Sequence, residues 1–146
     1  MVKNKGQVVF TNGCFDILHV GHVQMLSEAK KRGDHLIVGL NSDASVKRLK
    51  GDNRPVNNQG DRKYLLESIR YVDEVIIFDE DTPIELIRRI RPNLLVKGGD
   101  WPIEQIVGSE FVMSYGGKVE SLIFKDGYST TNIISQAHKA DQKDQV

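Results

Sequence analysis

The sequence holds a single cysteine, Cys14, in 146 residues. One thiol excludes an intramolecular disulfide and any zinc site built from several cysteines, and it is consistent with a reducing compartment. An excess of charge of one sign is also missing. Twenty basic residues face twenty acidic ones, for a formal net charge of zero. The global positive balance that favours loose binding to nucleic acid is therefore absent, although local basic clusters remain open. No apolar run approaches the roughly 18 residues of a membrane span. The stretch Met1 to Gln7 is polar, and the apolar run after it stops at Phe10, which argues against a secretory leader. No internal repeat is found. The expectation is a soluble, cytoplasmic protein with neither a membrane nor a nucleic-acid partner. What is present is a hydrophobic content of 39%, ordinary for a chain with one core. The length suits one domain and hardly two, with residues 1–139 as the domain and 140–146 as a polar tail.

Strand and helix patterns alternate along the chain. Gln7 to Thr11 is a short apolar run ending at Asn12-Gly13, so it reads as a buried strand and a turn. From Gly21 to Arg32, Val23, Leu26 and Ala29 recur at helical spacing, basic residues load the last turn, and Gly33 follows as a stop. His35 to Leu40 is a second strand. Asn41 to Gly60 is polar, shows neither period, and reads as a long loop of the kind that serves as a lid. A helix is predicted over Asp61 to Tyr71, then a strand over Glu74 to Phe78. A helix opened by Asp81-Thr82-Pro83 follows, with Ile84, Ile87 and Ile90 inward. Leu94 to Val96 reads as a short strand, Ile103 to Tyr115 as a broken helix, and Lys118 to Phe124 as a fifth strand. A last helix is predicted to open near Thr130. Such alternation predicts a three-layer, Rossmann-like α/β fold, with a mainly parallel five-stranded sheet and helices on both faces. Ligands of such sheets bind outside the carboxyl ends of the strands. Three segments are thereby placed at one rim: Thr11 to His22, the stretch from Asn41, and Val96 to Trp101.

The first of these carries the densest chemistry. Gly13 lets the backbone turn tightly, and His19 and His22 flank Gly21, with His22 in the first turn of a helix. Imidazoles beside the free N–H groups of a helix start suit phosphate oxygens and the negative charge that gathers during attack at phosphorus. The residues alone leave other readings open. A histidine near a turn is often structural. A pair two residues apart can hold a metal, though no acidic or cysteine ligand stands nearby at the spacing of a zinc protease helix. Cys14 lacks a base–orienter set for nucleophilic catalysis and also reads as a half-buried thiol.

His19-Val20-Gly21-His22, after a strand ending in Asn12-Gly13-Cys14-Phe15-Asp16, resembles the HxGH signature of the cytidylyltransferase-like nucleotidyltransferases. Ser129-Thr130-Thr131-Asn132-Ile133-Ile134 resembles their second signature, a Ser/Thr cluster opening the last helix. The resemblance spans about Gln7 to His138. It implies an enzyme in which the phosphate of a second substrate attacks the α-phosphorus of an NTP in line, with Mg²⁺ held mainly by the nucleotide phosphates and not by protein ligands. In this reading His19, His22 and Lys50 are catalytic. Thr11, Asn12, Gly13, Cys14, Phe15, Gly21, Arg62, Lys97, Gly98, Ser129, Thr130 and Thr131 bind the nucleotide. Asp16, Asn41, Asp43, Lys47, Asp100 and Trp101 meet the second substrate. Each basic residue among these has an alternative as an ordinary surface charge. The superfamily also implies a homodimer.

Further stretches resemble one branch, the bacterial heptose-1-phosphate adenylyltransferases. They are Asn41 to Gly51, Arg54-Pro55-Val56-Asn57, Asp79 to Pro83, and Leu95-Val96-Lys97-Gly98-Gly99-Asp100. That branch implies transfer of AMP from ATP to a heptose 1-phosphate, giving ADP-heptose for lipopolysaccharide-type glycans. Its transferase is often fused behind a sugar kinase. A chain of this length has no room for one, so the stand-alone form and a separate upstream kinase are expected. The nearest competitor is the glycerol-3-phosphate cytidylyltransferase type, which Arg70 to Val75 resembles. Phe124, where that group carries an arginine, and Cys14 after Gly13 depart from it. A non-catalytic nucleotide-binding module and a plain interaction domain are the alternatives from other classes.

Overall fold

A computed structural model describes residues 6–123. The Ser/Thr cluster 129–131, the expected last helix and Phe124 lie outside the described residues. Strand β1 is Val8–Gly13, helix α1 Val20–Lys31, β2 His35–Asn41, α2 Asp43–Lys50, α3 Gln59–Glu67 and β3 Glu74–Phe78. Then follow α4 Ile84–Ile90, β4 Leu94–Gly98, a 3-10 turn at Ile103–Gln105, α5 Ser109–Ser114 and β5 Lys118–Leu122. The strands form one sheet in the order β3-β2-β1-β4-β5, and every neighbouring pair is parallel.

Alternation along β1 explains the two cores. Val9 faces a cluster with Met25, Leu26 and Ala29 of α1 and Leu66 of α3. Val8 and Phe10 face the other side, against Leu86, Ile87 and Ile90 of α4 and Val112 of α5. The sheet is thus buried on both faces, which is why its strands read as continuous apolar runs. Val23, expected inward, is 37% exposed, and Met25 takes the buried position on α1 instead. On α4, Leu86 joins Ile87 and Ile90 inside, while Ile84 is only partly buried.

The polar stretch 41–60 is not a loop throughout. Ser42 accepts the Ser45 N–H at 3.1 Å and caps α2, and Asn58 accepts the Asp61 N–H at 2.8 Å and caps α3. Helix α2 buries only Ser45 and Val46, so it has no apolar stripe for periodicity to detect. Its start and stop signals were nonetheless present: Asp43 in the first turn, Lys47, Arg48 and Lys50 in the last, and Gly51 beyond at φ +99°. Helix α3 ends at Glu67, four residues before the expected Tyr71. Gly33 ends no helix by a left-handed turn. A Cβ there would lie 2.8 Å from the Gln7 carbonyl and 2.6 Å from Val9, so the position needs glycine for close approach to β1.

The order of strands decides where a ligand fits. The chain builds outward from β1 to β2 and β3, then crosses back to place β4 on the other side of β1. Connections on the two sides of this switch point diverge and leave a crevice at the carboxyl ends. The β1–β4 ladder pairs only Val9 with Leu94 and Phe10 with Leu95, so the strands part beyond it.

Candidate active site

The crevice between β1 and β4 opens into a cleft of about 480 Å³. Asn12, Gly13 and Cys14 come from the end of β1, Lys97 and Gly98 from the end of β4, and His19 and His22 from the start of α1. Lys50 reaches the cleft from the end of α2. Four stretches of the chain thus converge on one rim, as the order of the strands requires. A larger groove, about 770 Å³, runs along the outer side of α1 by Val20, Val23 and Ile123, where the described chain stops, and it holds neither histidine.

His19 is the N-cap of α1 and His22 its third residue. Their rings stack, with centroids 3.7 Å apart and planes at 23°. The His19 backbone N–H donates to His22 Nδ1 at 3.3 Å. An Nδ1 that accepts a hydrogen bond carries no proton, so neutral His22 bears its proton on Nε2 and offers it as a donor. Phe15 packs its ring edge-on against His22, centroids 5.1 Å apart. It does so from a left-handed backbone, φ +45°, which is costly for a bulky residue and is held here by burial on all sides. A Cβ on Gly13 would lie 3.0 Å from that ring and press on it at the end of β1.

Burial and then the nearby His19 push the His22 imidazole down to about 4 from 6.5. Between those two values the unfolded chain takes up the proton more readily than the folded one. The stability contributed by neutral His22 is therefore complete above pH 6.5 and is lost as the pH falls toward 4. The expected result is that the acid limb of turnover assigned to His22 falls near pH 4, well below an ordinary histidine. An NMR titration of the His22 ring checks it, and a midpoint at about 6.5 would contradict the buried neutral donor.

Burial also pushes the Cys14 thiol up, against the pull of Lys50, Arg62 and Arg54, so Cys14 is a neutral thiol and no ready nucleophile. Burial, with the nearby charge of Lys50 as a smaller cause, lowers Lys97. Its ammonium lies 5.4 Å from the centre of the Trp101 ring.

Several expected site residues have other posts. Thr11 is fully buried in the β1 ladder and does not line the cleft. Gly21 is buried inside the first turn of α1. Arg62, expected to neutralise phosphate, is fully buried. Its Nε donates to the Asn57 carbonyl at 2.9 Å, and its Nη1 to the Cys14 and Asn41 carbonyls at 2.7 and 2.8 Å. Its Nη2 meets Asp43 at 2.7 Å, which engages Asp43 as well. Arg62 therefore ties the ends of β1 and β2 together from behind the cleft. The Asp16 carboxylate is likewise committed, to Arg54 and to the N–H groups of Val56 and Asn57. Asn41 borders the cleft but donates its side chain to Ser45 at 3.0 Å. Lys47 lies with Asp43 and Asp61 by a separate hollow of about 240 Å³. Asp100 is exposed and off the cleft, and Trp101 reaches it only through Lys97. Sequence reasoning missed Arg54 and the Asp81-Thr82-Pro83 turn as parts of the wall. Arg54 stood in a stretch without periodicity, and its proximity to Asp16, 38 residues away, is a product of folding.

A parallel α/β sheet with stacked imidazoles, lysines and a helix start at its switch point defines a nucleotide-handling transferase. The chain belongs to the cytidylyltransferase-like family, whose sequence model matches residues 10–136. That match includes the 129–131 cluster, and the chain is accordingly a nucleotidyltransferase. It is 56% identical over 134 residues to the bifunctional protein HldE of Geobacter sulfurreducens, covering 92% of this chain and 27% of the relative. It is 59% identical over 129 residues to HldE of Campylobacter fetus, covering 88% of this chain and 27% of the relative. The chain thus spans about a quarter of the length of the curated relatives it matches. Among solved structures, the lipopolysaccharide core biosynthesis protein of Thermoplasma volcanium superposes with a TM-score of 0.66 at 28% identity, over 85% of this chain and 99% of that one. No helix among the described residues is long and apolar enough to cross a membrane.

Proposed function

We propose that the protein transfers AMP from ATP to a heptose 1-phosphate, releasing pyrophosphate and forming ADP-heptose for surface-glycan synthesis. An oxygen of the sugar phosphate attacks the α-phosphorus. The bond from that phosphorus to the bridging oxygen breaks, and its electron pair leaves with pyrophosphate. No covalent enzyme intermediate is required, so catalysis rests on positioning and charge stabilisation. The observation that carries the reading is the neutral His22, held by the His19 N–H at the start of α1 and facing a cleft with Lys50 and Lys97. Its Nε2–H is a preorganised donor for the oxygens on which charge develops.

Magnesium bound with the nucleotide would supply charge neutralisation of the triphosphate. The two carboxylates on the cleft, Asp16 and Asp81, are both already bonded to arginines, so the donor set fits a metal carried by the nucleotide phosphates and not one caged by the protein. Lys50 and Lys97 would then hold phosphate oxygens.

The heptose branch is supported by the Lys97-Gly98-Gly99-Asp100 turn and by the names of the relatives. The stretch Arg70 to Val75, which resembles the cytidine group, does not line the cleft. Asp73 accepts the Leu36 N–H at 2.8 Å and pairs with Lys30, and Glu74 pairs with His35, all at the amino ends of β2 and β3, away from the cleft. The deciding experiment is pyrophosphate release over four NTPs against a panel of sugar and polyol phosphates. ATP with a heptose 1-phosphate should give the highest catalytic efficiency. A tenfold preference for CTP with glycerol 3-phosphate would overturn the branch and leave the transferase mechanism standing.

A further inference from the structure

Two arginines of the 41–62 stretch approach the β1 turn, and they differ in what their guanidinium groups do. Arg62 has all three nitrogens bonded to protein oxygens. Arg54 has one. Its Nε donates to Asp16 Oδ2 at 2.6 Å, while among the described residues its two Nη groups meet no acceptor. The side chain is only 14% exposed and borders the cleft that holds His19, His22 and Lys50. These Nη donors are not sealed in the interior, so a ligand in the cleft that supplies oxygens can take them up.

The aim of this fork is fixed from behind. The Asp16 side chain has no exposure at all. Its Oδ1 accepts the Val56 N–H at 2.8 Å and the Asn57 N–H at 2.9 Å, and the Asn57 side chain returns to the Asp16 carbonyl at 2.8 Å. Burial alone would raise the Asp16 carboxyl. The Asn57 and Val56 N–H groups and Arg54 outweigh it and hold it below the usual range, so the carboxylate stays charged. A charged, immobile carboxylate gripping Nε leaves the two Nη groups pointing away from it in the plane of the guanidinium. Such an edge matches two oxygens of one phosphate, which a lysine cannot do.

We propose that Arg54 is a phosphate-binding residue of the cleft and that Asp16 is the positioning residue that aims it. The proposal rests on the phosphoryl-transfer reading above. The phosphate can belong to the nucleotide or to the sugar, and binding experiments separate the two. Arg54→Gln removes the charge and keeps the length, and Asp16 retains its two backbone donors, so the fold should hold. Titration calorimetry is run in two arms: Mg·ATP alone, and glucose 1-phosphate added to protein saturated with a non-hydrolysable ATP analogue. Arg54→Gln should weaken one arm at least tenfold and leave the other within threefold, even where loss of the pair with the buried Asp16 lowers Tm, and the weakened arm names the phosphate. Asp16→Asn should weaken the same arm, and the double variant should bind no worse than Arg54→Gln, because both changes remove one aimed fork. Both arms within twofold of the parent protein would overturn the proposal. So would equal weakening of both arms with a lowered Tm, which marks a purely structural pair. If the parent protein bound no Mg·ATP, the transferase reading itself would fall, an outcome distinct from an Arg54 variant that binds normally.

Discussion

Replacing His22 with alanine should cut the catalytic efficiency of pyrophosphate release by about a hundredfold or more. Loss of one preorganised donor to a developing oxyanion typically removes about 3–4 kcal/mol of transition-state stabilisation. The geometry here suits that magnitude. The ring is fixed by three contacts: the His19 N–H on Nδ1, the stacked His19 ring and the Phe15 edge. Its donor therefore needs no reorganisation when charge develops. The fold should survive, because His22 is at the rim and lies outside both hydrophobic clusters. The check is kcat and KM measured beside Tm. A loss in kcat with unchanged Tm fits a donor that acts in the transition state. Turnover within threefold of the parent enzyme would remove His22 from the mechanism.

The second large effect is on stability. Arg62→Met should destabilise the protein by about 3–5 kcal/mol, because a fully buried guanidinium that serves three carbonyls and the partly exposed Asp43 is removed. For a domain of this size that is a fall in Tm on the order of 10 °C or more. The methionine fills much of the volume but leaves the Cys14, Asn41 and Asn57 carbonyls without their donors and Asp43 without its partner. Adding Asp43→Ala should recover little of the loss, because the Asp43 side chain is 36% exposed and its freed carboxylate meets water. Thermal melts of the parent protein and both variants test this. An unchanged Tm with sharply weaker nucleotide binding would return Arg62 to direct phosphate contact.

The fate of the two arginines shows where sequence reasoning reached its limit. The amino-acid order marks each as a cation in a polar stretch and offers no means of ranking them. Burial separates them. Arg62 lies on α3 beneath the ends of β1 and β2, with every nitrogen engaged, whereas Arg54 is on the loop above with its fork open. Helix α2 escaped notice for a related reason. Periodicity detects helices that bury an apolar stripe, and α2 instead hangs on caps and polar bonds, such as Ser42 to Asp79 and Arg48 to Asp81.

The sequence by itself determined the parallel α/β class, all five strands to within two residues at either end, and the HxGH turn with His19, Asn12, Gly13 and His22 at a ligand rim. These are local properties. Strands buried on both faces write themselves as apolar runs, and a glycine turn before a helix start is a short-range pattern. Tertiary structure decided which polar residues face the cleft and which hold it together. It placed β4 beside β1, opened the crevice where their ladder stops at Phe10 and Leu95, and brought Arg54 onto Asp16 and Arg62 onto the Cys14 carbonyl. Those pairings join residues 38 and 48 positions apart. Their partners are set by the order of strands and the burial of charge, neither of which a reading of neighbouring residues contains.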